Sequence, residues 1–478
     1  MQAVLHDSLI LNLARARRVI SPAQGRSMFD ADVLSLCSGE GLCRPHPAAV
    51  ARATIALFET HRSSLDNYRY LRRHEALEEL IRGLAAETGL PATHAGDVLV
   101  GHGVTRLLEA FIVAHTEPGS VSFLSCNHYH PLPKLFDLLQ RRVILVPEAG
   151  TPGSGCIDAG SLQAAIDTAH AVYGRNLRLG ALLLFNPGYT GEVYAADVLQ
   201  GLAAVLARHR LPVLEDAIFA GTEYTQRSAR IASFLPPRHR AVTVSGVSKL
   251  FGMANARVGW ALGDAAAIAP MSEFSLSTNP ANFWVALEAA RGALAARASY
   301  LPACARELAT RAALVGELCE HLNRRAGERL LEPQRPAGAG HSVLLDAGGL
   351  TRRLDLELRS GGFDLSHVLL QTCGVAFSPA GSHGHPHGDS VRVCHASVGA
   401  DATYEESCDA ERIAIAPVLR LLAEGDHAGA ARAADAIELQ PWQAPVRGWR
   451  RGRAMLEEAF EARLLPWLMC SSRPRRAA

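Results

Sequence analysis

Between about residues 75 and 290, stretches with helical periodicity alternate with short apolar runs: Val98–Gly101, Val121–Ser125, Arg142–Pro147, Leu179–Phe185, Leu211–Asp216, Ala241–Ser248 and Val258–Leu262. Runs of that length separated by helices predict an α/β domain, with a mostly parallel sheet covered on both faces. Residues 181–185, Ala-Leu-Leu-Leu-Phe, are apolar on both faces, as a central strand between two helix layers must be. Ligands of such sheets sit beyond the carboxyl ends of the strands, so the polar residues that close these runs are the first candidates for chemistry.

Downstream, residues 291–330 read as one long helical region and 340–420 as a smaller α+β unit. Residues 421–478 differ. Pro441, Pro445, Pro466 and Pro474 interrupt short helical pieces there, and Arg447, Arg450, Arg451, Arg453, Arg473, Arg475 and Arg476 make the segment basic, so it is expected to be a solvated, partly ordered appendage. Over the whole chain 48 basic residues meet 47 acidic ones, and no global field draws the protein onto nucleic acid or an anionic membrane. No run approaches the roughly 18 apolar residues of a membrane span. In Met1–Ile20 the apolar stretch is broken by His6 and Asp7, with arginines after it, which reads as an amphipathic arm rather than a secretory signal. Ten scattered cysteines without a CxxC pair suit reduced thiols in a cytoplasmic protein and no zinc site.

Only two of the basic residues are lysines, Lys134 and Lys249, so chemistry that needs a primary amine has two candidates. Lys249 follows a strand end within residues 246–259, Gly-Val-Ser-Lys-Leu-Phe-Gly-Met-Ala-Asn-Ala-Arg-Val-Gly. Small residues there let a flat ring approach the backbone, and Arg257 stands eight positions on. An amine beside a guanidinium suits a phosphorylated aldehyde: lysine forms the imine and arginine takes the phosphate bidentately.

This run resembles, without a gap, the lysine-attachment signature of the class I/II aminotransferases, pyridoxal 5'-phosphate (PLP) enzymes of fold type I. The resemblance covers roughly residues 30–415. It implies a large PLP-binding domain at 65–295, a small α+β domain at 296–420 that also takes in part of residues 1–64, and a homodimer with active sites at the interface. Residues 421–478 have no counterpart in it.

Further matches follow residue by residue. Asp216 ends an apolar strand, where a buried carboxylate needs a cationic or hydrogen-bonding partner; by resemblance to the family's Asp-x-x-Tyr element it would keep the cofactor's ring nitrogen protonated. The tyrosine of that element is Phe219 here, so a phenol that bonds the cofactor's 3' oxygen is missing. Gly103, Val104 and Thr105 lie in a small-residue turn that opens a helix, a natural anion site, and match the family's phosphate cradle together with Ser248 and Arg257. Tyr129 matches the aromatic stacked on the cofactor ring. Residues 186–191, Asn-Pro-Gly-Tyr-Thr-Gly, look like the family's Asn-Pro-x-Asn-Pro-Thr-Gly loop with one residue missing or substituted. That assigns the ring-oxygen contact to Asn186, whereas an ungapped alignment puts Gly188 there. Tyr68 matches the tyrosine that reaches the partner's phosphate across the dimer.

Arg392, in an otherwise apolar strand, matches the arginine that forks onto the substrate α-carboxylate, and Gly39, in a glycine-containing segment at 38–41, is a second substrate-side candidate. His383, His385 and His387 alternate on a glycine-rich turn without a carboxylate neighbour, so no metal is expected. His102, His128 and His130 are expected to rim the site.

The resemblance implies an aminotransferase in which Lys249 carries the cofactor and then shuttles the Cα proton of an α-amino acid held by Arg392, while Asp216 stabilises the charge. Phe219 and the altered loop also admit a PLP-dependent lyase or cyclase resembling 1-aminocyclopropane-1-carboxylate synthase, acting by elimination or replacement, on S-adenosylmethionine for instance. A regulator of this fold that touches DNA through its basic tail is a third alternative, against which stands the lack of a helix-turn-helix pattern.

Overall fold

The structure is a computed structural model that describes residues 26–37, 39, 41–58, 73–149, 155–356, 362–385 and 389–470. Among these residues twelve strands form two sheets: β1 Leu34–Leu36, β2 Asp97–Gly101, β3 Val121–Ser125, β4 Arg142–Val146, β5 Leu179–Phe185, β6 Val213–Asp216, β7 Ala241–Gly246, β8 Gly259–Gly263, β9 Glu332–Pro333, β10 Ser342–Asp346, β11 Val375–Pro379 and β12 Ser390–Cys394.

The larger sheet has the order β2-β8-β7-β6-β5-β3-β4. All its pairings are parallel except those of β8, which runs against both β2 and β7. The apolar runs at 98–262 therefore become this sheet, with ends displaced by at most two residues. Strand β5 shows why it lies at the centre. Leu182 and Leu184 face one core with Phe123, Leu199 and Leu206, while Ala181, Leu183 and Phe185 face the other with Leu108, Phe111 and Val244. The two-residue period of a strand sends alternate side chains into separate helix layers, and each fully buried leucine contributes roughly 1.5–3 kcal/mol.

The smaller sheet has the order β1-β11-β12-β10-β9, with β1 parallel to β11 and the other pairs antiparallel. A segment from the N-terminal side of the chain thus completes a sheet whose other strands lie beyond residue 330. The 30-residue helix Arg297–Ala326 backs it with Val315, Leu318 and Leu322.

The expectation of a solvated appendage fails over residues 427–470. Helices His427–Glu438, Val446–Glu457 and Leu465–Cys470 form there, the last two joined by a π-helical turn at Glu458–Leu464. Leu456, Phe460, Leu464 and Leu468 recur every four residues and are buried with Phe377, Val391 and Val393 of the smaller sheet. Ala430, Ala434 and Ile437 pack on Ala48 and Ala51 of the helix Pro47–Leu57. Pro441 lies in the link between two of these helices and Pro445 caps the second, so these prolines break the segment into packed helices rather than unfolding it. Among the described residues no helix is long and apolar enough to cross a membrane.

Candidate active site

Strand direction brings the candidate residues to one edge of the larger sheet. β6 ends at Asp216, beside Phe185 at the end of β5. β7 ends at Gly246 and runs straight into the one-turn helix Val247–Leu250, which carries Ser248 and Lys249. β2 ends at Gly101, two residues before Gly103 and the helix Val104–His115. Because β8 runs the opposite way, its first residue, Gly259, pairs with both Gly101 and Gly246. Arg257, two positions earlier, therefore joins the same edge.

Lys249 is half-buried, and its Nζ donates to the carbonyl of Gly39. His341 also reaches that carbonyl through Nδ1, at 3.4 Å. Asp216 is fully buried. Its Oδ1 accepts from the amide of Ile218 at 3.0 Å, whereas Oδ2 has no partner among the described residues. Burial pushes its carboxyl up to about 7; the Ile218 amide and the Lys249 charge oppose that rise and the Glu215 carboxylate adds to it. An unpaired acid oxygen in such a place costs stability until a donor or cation meets it.

Gly103 caps the helix Val104–His115 at φ 78°, a conformation that favours glycine, and no side chain caps that helix. The first turn keeps free N–H groups and the positive end of a helix dipole. Packing there is close: a β-carbon on Gly259 would meet the carbonyl carbon of Gly103 and the nitrogen of Val104 at 2.8 Å. Arg257 Nη1 donates to the carbonyl of Ala254 at 2.7 Å, and Nη2 lies against Gly103. The helix start with a guanidinium beside it is suited to a phosphate.

Across the edge, Arg392 of β12 is 5% exposed. Nη2 donates to the carbonyl of Cys37 at 2.7 Å, and Nε is buried without a partner among the described residues. Burial, with the positive charges of Arg392 and Lys249, pushes His130 and His341 down to about 3, so both are neutral. His383 places Nδ1 3.1 Å from the carbonyl of His128, which fixes the proton on Nδ1. Rings complete the wall. Tyr129 lies 5.7 Å from Tyr189, Tyr189 lies 5.2 Å from Phe219, and Phe219 lies 5.2 Å from His341.

The structure thus brings together Gly39, Gly103, Val104, Thr105, Tyr129, Asp216, Ser248, Lys249, Arg257 and Arg392; Asn186 lies at the same edge, its backbone amide donating to the Asp216 carbonyl at 3.0 Å, but its side chain is engaged elsewhere. Both hydrogens of the Asn186 amide are committed, to Glu215 Oε1 at 2.8 Å and to the carbonyl of Ala229 at 2.7 Å, and Oδ1 accepts from the amide of Tyr194 at 3.3 Å. The side chain anchors its loop and has no donor left for a ligand, which corrects the ring-oxygen expectation. Gly188 cannot substitute, since a β-carbon there would overlap Glu192. Tyr68 and His387 lie outside the described residues. His102 turns to the carbonyl of Ala281 at 2.8 Å, and His128 to its neighbour's carbonyl at 3.0 Å.

His385 meets Glu148 at 2.6 Å through Nδ1 and Asn127 through Nε2, so it and His383 serve different partners. No group of three or more His, Cys, Asp or Glu suited to a metal occurs among the described residues. Sequence reasoning misses Tyr189. It carries no periodic signal and stands in an interrupted loop, and only the folded loop brings it to the site.

Comparison with known proteins gives a consistent pattern. The family model for "Aminotransferase class I and II" matches residues 31–410. A probable N-succinyldiaminopimelate aminotransferase of Mycobacterium tuberculosis is 28% identical over 179 residues, 36% of this chain and 42% of the relative. A probable aspartate/prephenate aminotransferase of Thermus aquaticus is 33% identical over 221 residues, 45% of this chain and 53% of the relative. The chain spans about half the length of these relatives.

Among solved structures, an aspartate aminotransferase from Rhizobium meliloti superposes with a TM-score of 0.69 at 21% identity, over 90% of this chain and 96% of that one. The N-succinyldiaminopimelate aminotransferase of M. tuberculosis gives 0.66 at 18% identity, over 82% and 93%. These likenesses show a shared fold.

Proposed function

Since the chain belongs to the class I and II aminotransferase family, whose members are PLP-dependent transferases, we propose that it moves an amino group from an α-amino acid to a keto acid with that cofactor. The observation that carries this reading is the convergence at one sheet edge of the Lys249 amine, the unpartnered oxygen of Asp216 and the helix start backed by Arg257. These residues fit the cofactor's aldehyde, ring nitrogen and phosphate in turn. When bound, PLP supplies an aldehyde that captures amines and a cationic ring that withdraws electrons from Cα.

The chain's own residues do the rest. Asp216 Oδ2 would accept from the ring N–H and so keep that nitrogen charged. Gly103, Val104 and Thr105 would offer backbone N–H groups to the phosphate, and Ser248 and Arg257 would complete its hold. Tyr129 would cover the ring face. Arg392, whose Nε has no partner among the described residues, would take the α-carboxylate, so that the Cα proton would be presented to the Lys249 amine as its base. Gly39, whose carbonyl holds Lys249 Nζ, closes the substrate side. A homodimer is part of the same proposal. The elimination or cyclisation alternative draws no support from the relatives reported above, which carry aminotransferase names.

The test is borohydride reduction of the purified protein with PLP, followed by amino acids offered with a keto-acid acceptor. Wild type should trap one PLP per chain and form keto acid from some donor. A Lys249→Ala protein that still gave a reducible adduct would refute the assignment.

A further inference from the structure

The cofactor ring carries a phenolic oxygen, which is anionic when the neighbouring nitrogen is protonated. A buried anionic oxygen needs a hydrogen-bond donor. Neither Phe219 nor Asn186 supplies one. Phe219 has no hydroxyl, and both Asn186 hydrogens are committed to Glu215 and Ala229.

Tyr189 stands in the gap. Its ring meets Phe219 edge-on at 5.2 Å and 77°, lies 5.7 Å from Tyr129 and is near-parallel to His383 at 6.2 Å. The backbone holds it there, with the Tyr189 amide donating to the carbonyl of Asn127 at 3.2 Å. Its hydroxyl makes no hydrogen bond among the described residues, whereas the Tyr194 hydroxyl accepts from the Ile157 amide and the Tyr300 hydroxyl donates to the Arg44 carbonyl. Burial pushes the Tyr189 phenol up, with the Asp216 carboxylate and Tyr129 pushing the same way and Arg392 opposing. The group therefore stays protonated and available as a donor.

We propose that Tyr189 donates its hydroxyl hydrogen to the phenolic oxygen of the cofactor, in place of the hydroxyl that Phe219 lacks, and thereby sets the proton affinity of the nitrogen that links Lys249 to the cofactor. This rests on the PLP reading above. A donor on the phenolic oxygen draws charge from it and loosens its grip on the neighbouring proton; without that donor the proton is held to higher pH.

The experiment is a pH titration of the visible absorbance of the holoenzyme. Tyr189→Phe should raise the midpoint by about one pH unit, the size of a single charge-assisted hydrogen bond. Tyr189→Phe combined with Phe219→Tyr should bring it back toward wild type, a rescue that a merely structural role would not give. A Tyr189→Phe holoenzyme that titrates where wild type does would overturn the proposal, as would a shift that appears in Tyr129→Phe instead. Persistence of the absorbance band in Lys249→Ala would sink the PLP reading itself, which separates the two failures.

Discussion

The guanidinium of Arg257 lies against the α-carbon of Gly103, so closely that a β-carbon there would come within 2.5 Å of Arg257 Nη2. Cation and helix start are thus one unit, and a methyl group would part them. Gly103 also sits at φ 78°, where alanine is strained by roughly 1–2 kcal/mol. Gly103→Ala is expected to weaken PLP binding at least about tenfold, one charge-assisted contact's worth. Fluorescence titration of the apoprotein measures it, and unchanged affinity would remove the phosphate from this turn.

Arg392 offers a test of recognition apart from cofactor binding. Its Nη2 is held by Cys37 and its Nε has no partner among the described residues, so the planar guanidinium is anchored at one nitrogen while it presents a donor in fixed geometry at another. Arg392→Lys keeps the charge and loses the fork. KM for the amino acid should rise about tenfold or more while PLP affinity holds. If KM stayed put and PLP affinity fell, the carboxylate would have to bind elsewhere.

Asp216 makes apoprotein stability depend on pH in a defined direction. Its carboxyl is raised from an ordinary 3.8 to about 7 by burial. Between those values the folded chain holds a proton that the unfolded chain has released, so stability falls as pH rises through that window and levels off above it. Asp216→Asn has no such proton. Denaturant unfolding of the two apoproteins at pH 4 and pH 8 should show wild type losing more stability than the variant over that interval. Equal pH slopes would mean that Asp216 is not raised.

Glu307 ties the C-terminal helices to the long helix. Arg311 Nε meets it at 2.9 Å with both side chains buried, and Arg453, from the helix Val446–Glu457, meets it from the other side with Nε at 3.1 Å. Glu307→Gln would leave the Arg311 charge buried and uncompensated, a cost of about 3–5 kcal/mol. Arg453→Ala should cost about 1 kcal/mol or less, since its side chain is partly exposed and screened. Urea unfolding reads both, and equal losses would contradict this ranking.

The larger sheet was legible because its inner strands are buried on both faces: seven apolar runs, bounded by polar or glycine ends, need no partner information to be seen. Lys249, Asp216 and Arg257 stood out for a related reason, since Asp216 closes such a run, Lys249 follows one and Arg257 immediately precedes one. Two features were not. Loop 186–191 is shorter than the pattern it resembles, so register along it is undefined from residues alone; only folded contacts show Asn186 spent on Glu215 and Tyr189 turned to the site. In the tail, arginines and prolines dominate the composition, while the stripe Leu456, Phe460, Leu464, Leu468 that docks it passes through a π-helical turn. Charge on one face of a helix says nothing about what its other face covers.

The hold of Cys37 on Arg392 joins positions 355 residues apart. During synthesis, the larger sheet has all its strands once residue 263 has emerged, while Arg392 and the β11–β12 pair that frames it are still to come. A nascent chain on the ribosome therefore carries Lys249 and Asp216 before Arg392 exists, so the proposed cofactor shelf precedes the proposed grip on a carboxylate.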